Sequence, residues 1–197
     1  MSAEPWLVVI DLQVIFADPA SAWRTPRFGE AAAGAAALLP AFADRVVCTR
    51  FVAPHAPRGA WVDYYREWPF ALVPATDPLY DLVEPFAGLD GPVVSAPTFG
   101  KWGPALADVL DPEAPLVLAG VSTDCCVLST ALAAADAGRH VSVVADACAG
   151  LSDADHQRAL AAMALYAPLI EITSVAEVLA IRPPARGGPA PGPAASG

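Results

Sequence analysis

Apolar residues in this chain fall into two kinds of stretch. Short runs without polar alternation read as strands buried on both faces. They are Trp6 to Ile10, Arg45 to Thr49, Pro92 to Ser95, Leu116 to Gly120, His140 to Ala145 and Leu169 to Thr173. Longer stretches space their apolar residues as one face of a helix: Ala31 to Ala43, Trp102 to Leu110, Asp124 to Ala137, Ser152 to Tyr166 and Ser174 to Ala180. Pro104 stands in the first turn of the second, where a missing N–H costs nothing. Gly138 stops the third. Doubly buried strands separated by helices predict an α/β fold, an open, mostly parallel six-stranded sheet with helices on both faces, a three-layer sandwich.

Two segments break the pattern. Residues 51–90 carry Trp61, Tyr64, Tyr65, Trp68, Phe70, Tyr80 and Phe86 among several prolines. This excursion is too aromatic for disorder and too irregular for one helix, and it reads as a lid or an oligomer interface. The end of the chain, from Arg182 through Pro183, Pro184 and Gly187, is rich in Pro, Gly and Ala. The expectation is one domain over residues 1–181 and a disordered tail over 182–197.

Composition narrows the function. With 55% hydrophobic and 16% charged residues, the 197-residue chain has the material for a substantial core. A net charge of −10 argues against nucleic acid, whose phosphates need a basic face. No apolar run approaches the roughly 18 residues of a membrane span, and the first residues, Met1 to Trp6, lack the basic start of a secretory signal. The expectation is a cytoplasmic protein acting on a small molecule, with no membrane or nucleic-acid partner. Cys48, Cys125, Cys126 and Cys148 fit neither a disulfide framework nor a zinc spacing, so free thiols are expected.

In an open parallel sheet, ligands bind beyond the carboxyl ends of the strands. The first strand ends at Asp11. The third leads through Thr98 to Lys101. The fourth ends at Gly120 and passes through Val121, Ser122, Thr123 and Asp124 to Cys125 and Cys126. An acid, a cation and a thiol thus converge on one edge. Lys101 is the lone lysine beside ten arginines. A composition that has replaced lysine elsewhere and kept it here suggests a place needing a compact ammonium and not a planar fork. A thiol in the first turn of a helix, near a lysine, is expected to have a lowered pKa. A carboxylate can take its proton, and helix-start amides can hold an oxyanion. Taken singly, Asp11 also suits a strand-end turn, and either cysteine suits a core position.

The segments Leu7 to Gln13, Lys101, and Gly120-Val121-Ser122-Thr123-Asp124-Cys125-Cys126-Val127 to Ala131 strongly resemble the isochorismatase-like cysteine hydrolases, over about residues 5 to 180. In that family the nucleophile precedes the Val, which selects Cys126 and leaves Cys125 as its neighbour. The resemblance implies a catalytic triad of Asp11, Lys101 and Cys126. It further implies an oxyanion hole from the amides of Ser122 and Cys126, with a cis peptide between Val121 and Ser122. Asp11 would remove the thiol proton, Lys101 would favour the thiolate, and Cys126 would attack an amide or ureido carbonyl. Asp146 and His156 also look like family landmarks, and they are read as structural.

The family's nicotinamidases usually carry Asp-x-His with further histidines after the second strand. Here that region reads Thr49-Arg50-Phe51-Val52-Ala53-Pro54-His55. One histidine makes no metal site, so neither metal nor other cofactor is expected, and nicotinamidase is disfavoured. Retention of Cys126 favours C–N hydrolysis over vinyl ether cleavage of the isochorismatase type. A non-catalytic ligand- or partner-binding member of the family is the other alternative. Phe16, Trp23, Trp61, Trp68 and Trp102 are candidates to line a flat apolar pocket, and Arg50, just past a strand end, to bind a substrate carboxylate. The resemblance and the aromatic excursion together suggest a homodimer or homotetramer.

Overall fold

The computed structural model describes residues 3–183. The expected tail therefore lies mostly outside the described residues. Arg182 itself is anchored: it pairs with Glu4 at 2.6 Å and lies over the Phe42 ring.

Six strands form one sheet in the order β3-β2-β1-β4-β5-β6: β1 Trp6–Ile10, β2 Val46–Phe51, β3 Val93–Ala96, β4 Leu116–Val121, β5 Val141–Ala149 and β6 Ile170–Thr173. Every pairing is parallel. The central strands β1 and β4 are buried almost throughout, as their unbroken apolar runs require. Successive residues of β1 supply opposite faces: Leu7 and Val9 join one core, Val8 and Ile10 the other.

On the first face lie α2 (Phe28–Phe42) and, at the C-terminus, α7 (Val175–Ile181), which opens with a Ser174–Glu177 capping box. The short α1 (Val14–Ala17) follows β1. On the second face lie α4 (Pro104–Ala107), α5 (Leu128–Asp136) and α6 (Asp153–Ala164). The helix expected over Trp102 to Leu110 shrinks to the four residues of α4. The α5 helix is preceded by a π-turn, Thr123–Val127.

The excursion contains α3 (Ala60–Glu67) and three single 3₁₀ turns at Pro69–Ala71, Pro78–Tyr80 and Phe86–Gly88. It folds back onto the ends of β1 and β2. Buried Gln13 holds it there: its amide donates to the carbonyls of Phe51 and Tyr80 at 3.1 and 2.8 Å and accepts from the Phe51 N–H at 2.7 Å.

The strand order reverses between β1, which continues to β2 and β3 on one side, and β4, which continues to β5 and β6 on the other. A crevice opens beyond the carboxyl ends of two strands whose connections diverge. Asp11 follows β1 and Ser122 follows β4, so both flank this crevice. Gly120 lets the two strands close there. Its φ is +122°, and a Cβ would sit 2.0 Å from the Ile10 carbonyl oxygen.

Candidate active site

Asp11 leaves β1 in the left-handed region, at φ 48°, an unfavourable setting for a non-glycine residue. Its surroundings hold it there. The Asp11 N–H donates to Thr49 Oγ1 at 3.3 Å, and that hydroxyl donates back to Asp11 Oδ1 at 2.6 Å. The other carboxylate oxygen, Oδ2, faces Lys101 Nζ at 2.9 Å, and both side chains are completely buried. Lys101 Nζ also donates to the Thr98 carbonyl at 2.6 Å and lies 5.2 Å from the centre of the Phe51 ring. Among the described residues Oδ2 accepts no aligned hydrogen bond from protein N–H or O–H groups, so it retains capacity to take a proton.

Cys126 sits in the π-turn on the opposite wall of the crevice and is 3% exposed. Burial pushes its thiol well above the usual range. The Asp11 carboxylate adds to the rise, and the Lys101 ammonium opposes it. This corrects the expectation of a lowered pKa. Desolvation outweighs the helix terminus and the lysine, so the shift favours the neutral thiol.

The π-turn also changes the amides. The Ser122 carbonyl accepts from the Cys125 N–H at 3.2 Å and from the Val127 N–H at 3.0 Å, passing over Cys126. The Ser122 carbonyl therefore takes no bond from the Cys126 N–H, and turns of this kind often stand at functional sites. The Val121–Ser122 peptide, between β4 and the π-turn, is cis.

The outer walls of the cavity are Phe16, Trp23, Thr25, Phe51, Tyr64, Phe99 and Leu151, with Ser122, Cys125 and Cys126 at its floor; its volume is about 60 Å³. Trp23 is the hub of the roof, with ring centres 5.1 to 6.3 Å from those of Phe16, Phe51, Tyr64, Trp68 and Phe70. The aromatic excursion is thus part of the wall. Gly150 brings the Leu151 loop close enough for the Leu151 N–H to reach Asp124 Oδ1 at 3.0 Å; a Cβ on Gly150 would meet that same oxygen at 2.7 Å.

Of the residues proposed from sequence, Asp11, Lys101, Cys126, Ser122, Phe16 and Trp23 come together here. Four others do not line the cavity; one, Trp68, packs against Trp23 and Phe70. Arg50 turns away to Ser95 Oγ, 3.1 Å from its guanidinium, beside Asp81 and Val93. Trp61 stands one layer back, packing on Tyr64 and Phe99 rather than facing the thiol. Trp102 is partly buried under the Arg139 guanidinium and does not line the cavity. Strand-end position and aromatic character do not fix which way a side chain leaves the backbone. Cys125 borders the cavity, but burial and Asp124 raise its thiol to about 11. His156 is a structural partner: its Nδ1 meets Thr123 Oγ1 at 2.8 Å, and burial lowers its pKa. Asp146 accepts the Val175 N–H at 2.8 Å at the start of α7.

Three threonines escaped the sequence reading. Thr49 orients Asp11, and the Thr98 carbonyl holds Lys101. Thr130 Oγ1 accepts the Lys101 N–H at 2.9 Å and donates to the Cys126 carbonyl at 2.7 Å. Thr49 had a signal, a polar residue inside an otherwise apolar buried strand. Thr130 had only its position one helical turn after Cys126.

Beyond β2, His55 opens onto a separate cleft with Leu72 and Val73. Among the described residues no group of three His, Cys, Asp or Glu is placed to hold an ion. No helix among them is long and apolar enough to cross a membrane.

An acid, an ammonium and a thiol thus stand beyond the carboxyl ends of a parallel sheet, beside its switch point. The chain belongs to the isochorismatase family: the profile of the Isochorismatase domain matches residues 5–177. No curated protein matches the chain. Among solved structures it is similar to a cysteine hydrolase from Pseudomonas syringae pv. phaseolicola, with a TM-score of 0.77 and 21% identity over 90% of this chain and 91% of that one. It is also similar to N-carbamoylsarcosine amidase from Thermoplasma acidophilum, at 0.69 and 19% over 87% and 96%. A zinc complex of a pyrazinamidase from Pyrococcus horikoshii aligns at 0.66 and 25% over 87% and 99%.

Proposed function

We propose that this protein is a cytoplasmic cysteine hydrolase that cleaves a C–N bond of a small amide, ureido or lactam substrate through a thioester on Cys126. The observation that carries this reading is the buried Asp11–Lys101 pair, its Oδ2 open to a proton, on the same crevice as the Cys126 thiol. The amidases among the structural neighbours lend it support.

The chemistry follows from those groups. Cys126 Sγ attacks the substrate carbonyl carbon while its proton passes to Asp11. The carbonyl electrons move to oxygen, which the amides of Cys126 and Ser122 receive. Asp11 then returns the proton to the departing nitrogen as the C–N bond breaks, leaving an acyl thioester and ammonia or an amine. Water attacks the thioester and gives its proton to Asp11. Collapse releases the carboxylic acid or carbamate, and the thiol regains its proton. Lys101 keeps the Asp11 carboxylate in place throughout and offsets negative charge as it shifts to sulfur.

The test is a screen of small primary amides and ureas by ammonia release and of lactams by the amine that ring opening exposes, with Cys126→Ala as control and intact-mass detection of an acyl adduct. Release with an adduct on Cys126 is expected. Release that survives Cys126→Ala, or no release and no adduct with any compound, overturns the proposal.

A further inference from the structure

Thr25 is the anomaly of the cavity wall. It is 1% exposed, and its backbone is tied on both sides: its N–H donates to the Phe16 carbonyl at 2.9 Å, and its own carbonyl accepts the Phe28 N–H at 3.1 Å. Its hydroxyl is buried and has no hydrogen-bond partner among the described residues. Buried hydroxyls are nearly always paired. One left unpaired in the wall of a ligand cavity has its natural partner in the ligand.

The character of that partner follows from the rest of the wall. Phe16, Trp23, Phe51, Tyr64, Phe99 and Leu151 present rings and apolar surface, and every described lining residue is uncharged. Arg27 pairs with Glu30 and Asp153, Arg50 turns to Ser95, and Arg24, between Trp23 and Thr25, is exposed and is not among the lining residues. Asp11 and Lys101 lie beneath the thiol and neutralise one another. A substrate carboxylate would lose its water against aromatic faces with no cation to meet it. It would also approach a molecule of net charge −10. A threonine hydroxyl carries no charge and both donates and accepts, so it suits a neutral polar group.

We infer that the substrate is a small uncharged amide with an apolar body, and that Thr25 is a specificity-determining residue that hydrogen-bonds a neutral polar group away from the reacting carbonyl. This rests on the hydrolase reading above, and the experiment separates the two.

Butanamide, 3-hydroxybutanamide and succinamate differ by a hydrogen, a hydroxyl or a carboxylate on a short amide. Their binding is measured by calorimetry on the Cys126→Ala protein, where no turnover occurs. Both neutral amides are expected to bind at least about tenfold tighter than succinamate. Thr25→Val is expected to weaken 3-hydroxybutanamide by about fivefold while leaving butanamide within about twofold, and Thr25→Ser to restore the affinity. In the protein with Cys126 intact, the same loss is expected in KM with kcat little changed. Succinamate binding as tightly as the neutral amides, or failure of both neutral amides to bind, overturns the substrate class. Equal weakening of both neutral amides by Thr25→Val overturns the role of Thr25. The expected binding pattern without ammonia release from any amide overturns the hydrolase reading and leaves the pocket reading standing.

Discussion

Lys101 Nζ stands 2.9 Å from Asp11 Oδ2, and neither side chain offers any surface to solvent. The ammonium fits between that carboxylate, the Thr98 carbonyl and the face of Phe51. A guanidinium is broader and fixed in a plane, and the space is built for a point charge.

Lys101→Arg is therefore expected to lower kcat/KM by at least about 100-fold. Removing the other partner is worse for the fold. Asp11→Asn strands a buried ammonium and is expected to cost about 3–5 kcal/mol in urea unfolding, as well as turnover. A Lys101→Arg enzyme of normal activity would refute the fit argued for this position.

The two adjacent cysteines are expected to differ in role. Cys126→Ala is expected to abolish turnover and acyl adduct alike. Cys125→Ala removes a thiol whose proton is held by burial and by Asp124, and it should retain most of the activity. Steady-state assays of the pair decide the matter, and an inactive Cys125→Ala with an active Cys126→Ala would reverse the assignment.

Alkaline pH should weaken the fold. Burial lifts Cys48 up to about 11 and Cys148 up to about 12, whereas an unfolded thiol titrates near 8.5. Because the folded pKa is the higher one, the contribution of each group is complete below the unfolded value. It is lost as pH rises toward the folded one. The slope is on the order of 1.4 kcal/mol per pH unit for each thiol. Urea midpoints should fall from about pH 9 upward, and Cys48→Ala combined with Cys148→Ala should flatten the decline. Equal slopes for the two proteins would contradict this account.

Gly120→Ala meets two obstacles together, a positive φ and a Cβ 2.0 Å from the Ile10 carbonyl oxygen. That oxygen belongs to a central strand with nowhere to move. A loss of more than about 4 kcal/mol is expected by denaturant unfolding, and a near-neutral substitution would mean that β1 and β4 pack differently.

Arg50→Ala should leave kcat/KM for any substrate within about twofold, since its guanidinium is held by Ser95 on the far side of β2. A large loss measured on carboxylated amides would instead return Arg50 to the site.

How much of this was legible in the chain follows from the physics of each part. Strands buried on both faces, such as β1 and β4, write themselves as apolar runs; the edge strands β3 and β6 are partly exposed, against expectation, but their short apolar runs were visible too. The strand-end rule then brought Asp11, Lys101 and Cys126 to one edge. The excursion hid α3, because its eight residues are bounded by Gly59 and Pro69 within a segment otherwise made of loops and single 3₁₀ turns. The helix expected over Trp102 to Leu110 overran because Pro112 ends the segment without a capping signal at Ala107. The sign of the Cys126 shift was misjudged for a related reason. A helix start and a lysine can be read from sequence, whereas depth of burial depends on aromatic residues contributed from four separate segments. Arg50, Trp61, Trp68 and Trp102 do not line the cavity, because side-chain direction is set by neighbours far away in the chain.

Thr130 has a consequence beyond its two hydrogen bonds. Its single oxygen is a shared mooring for the loop that delivers the ammonium and the turn that delivers the thiol. Those two segments reach the crevice by separate routes, yet they cannot drift independently while both are fastened to one atom. Evolution can remodel the roof above for new substrates without disturbing the spacing beneath, because that spacing is gauged from below by one side chain of α5 and not by the walls.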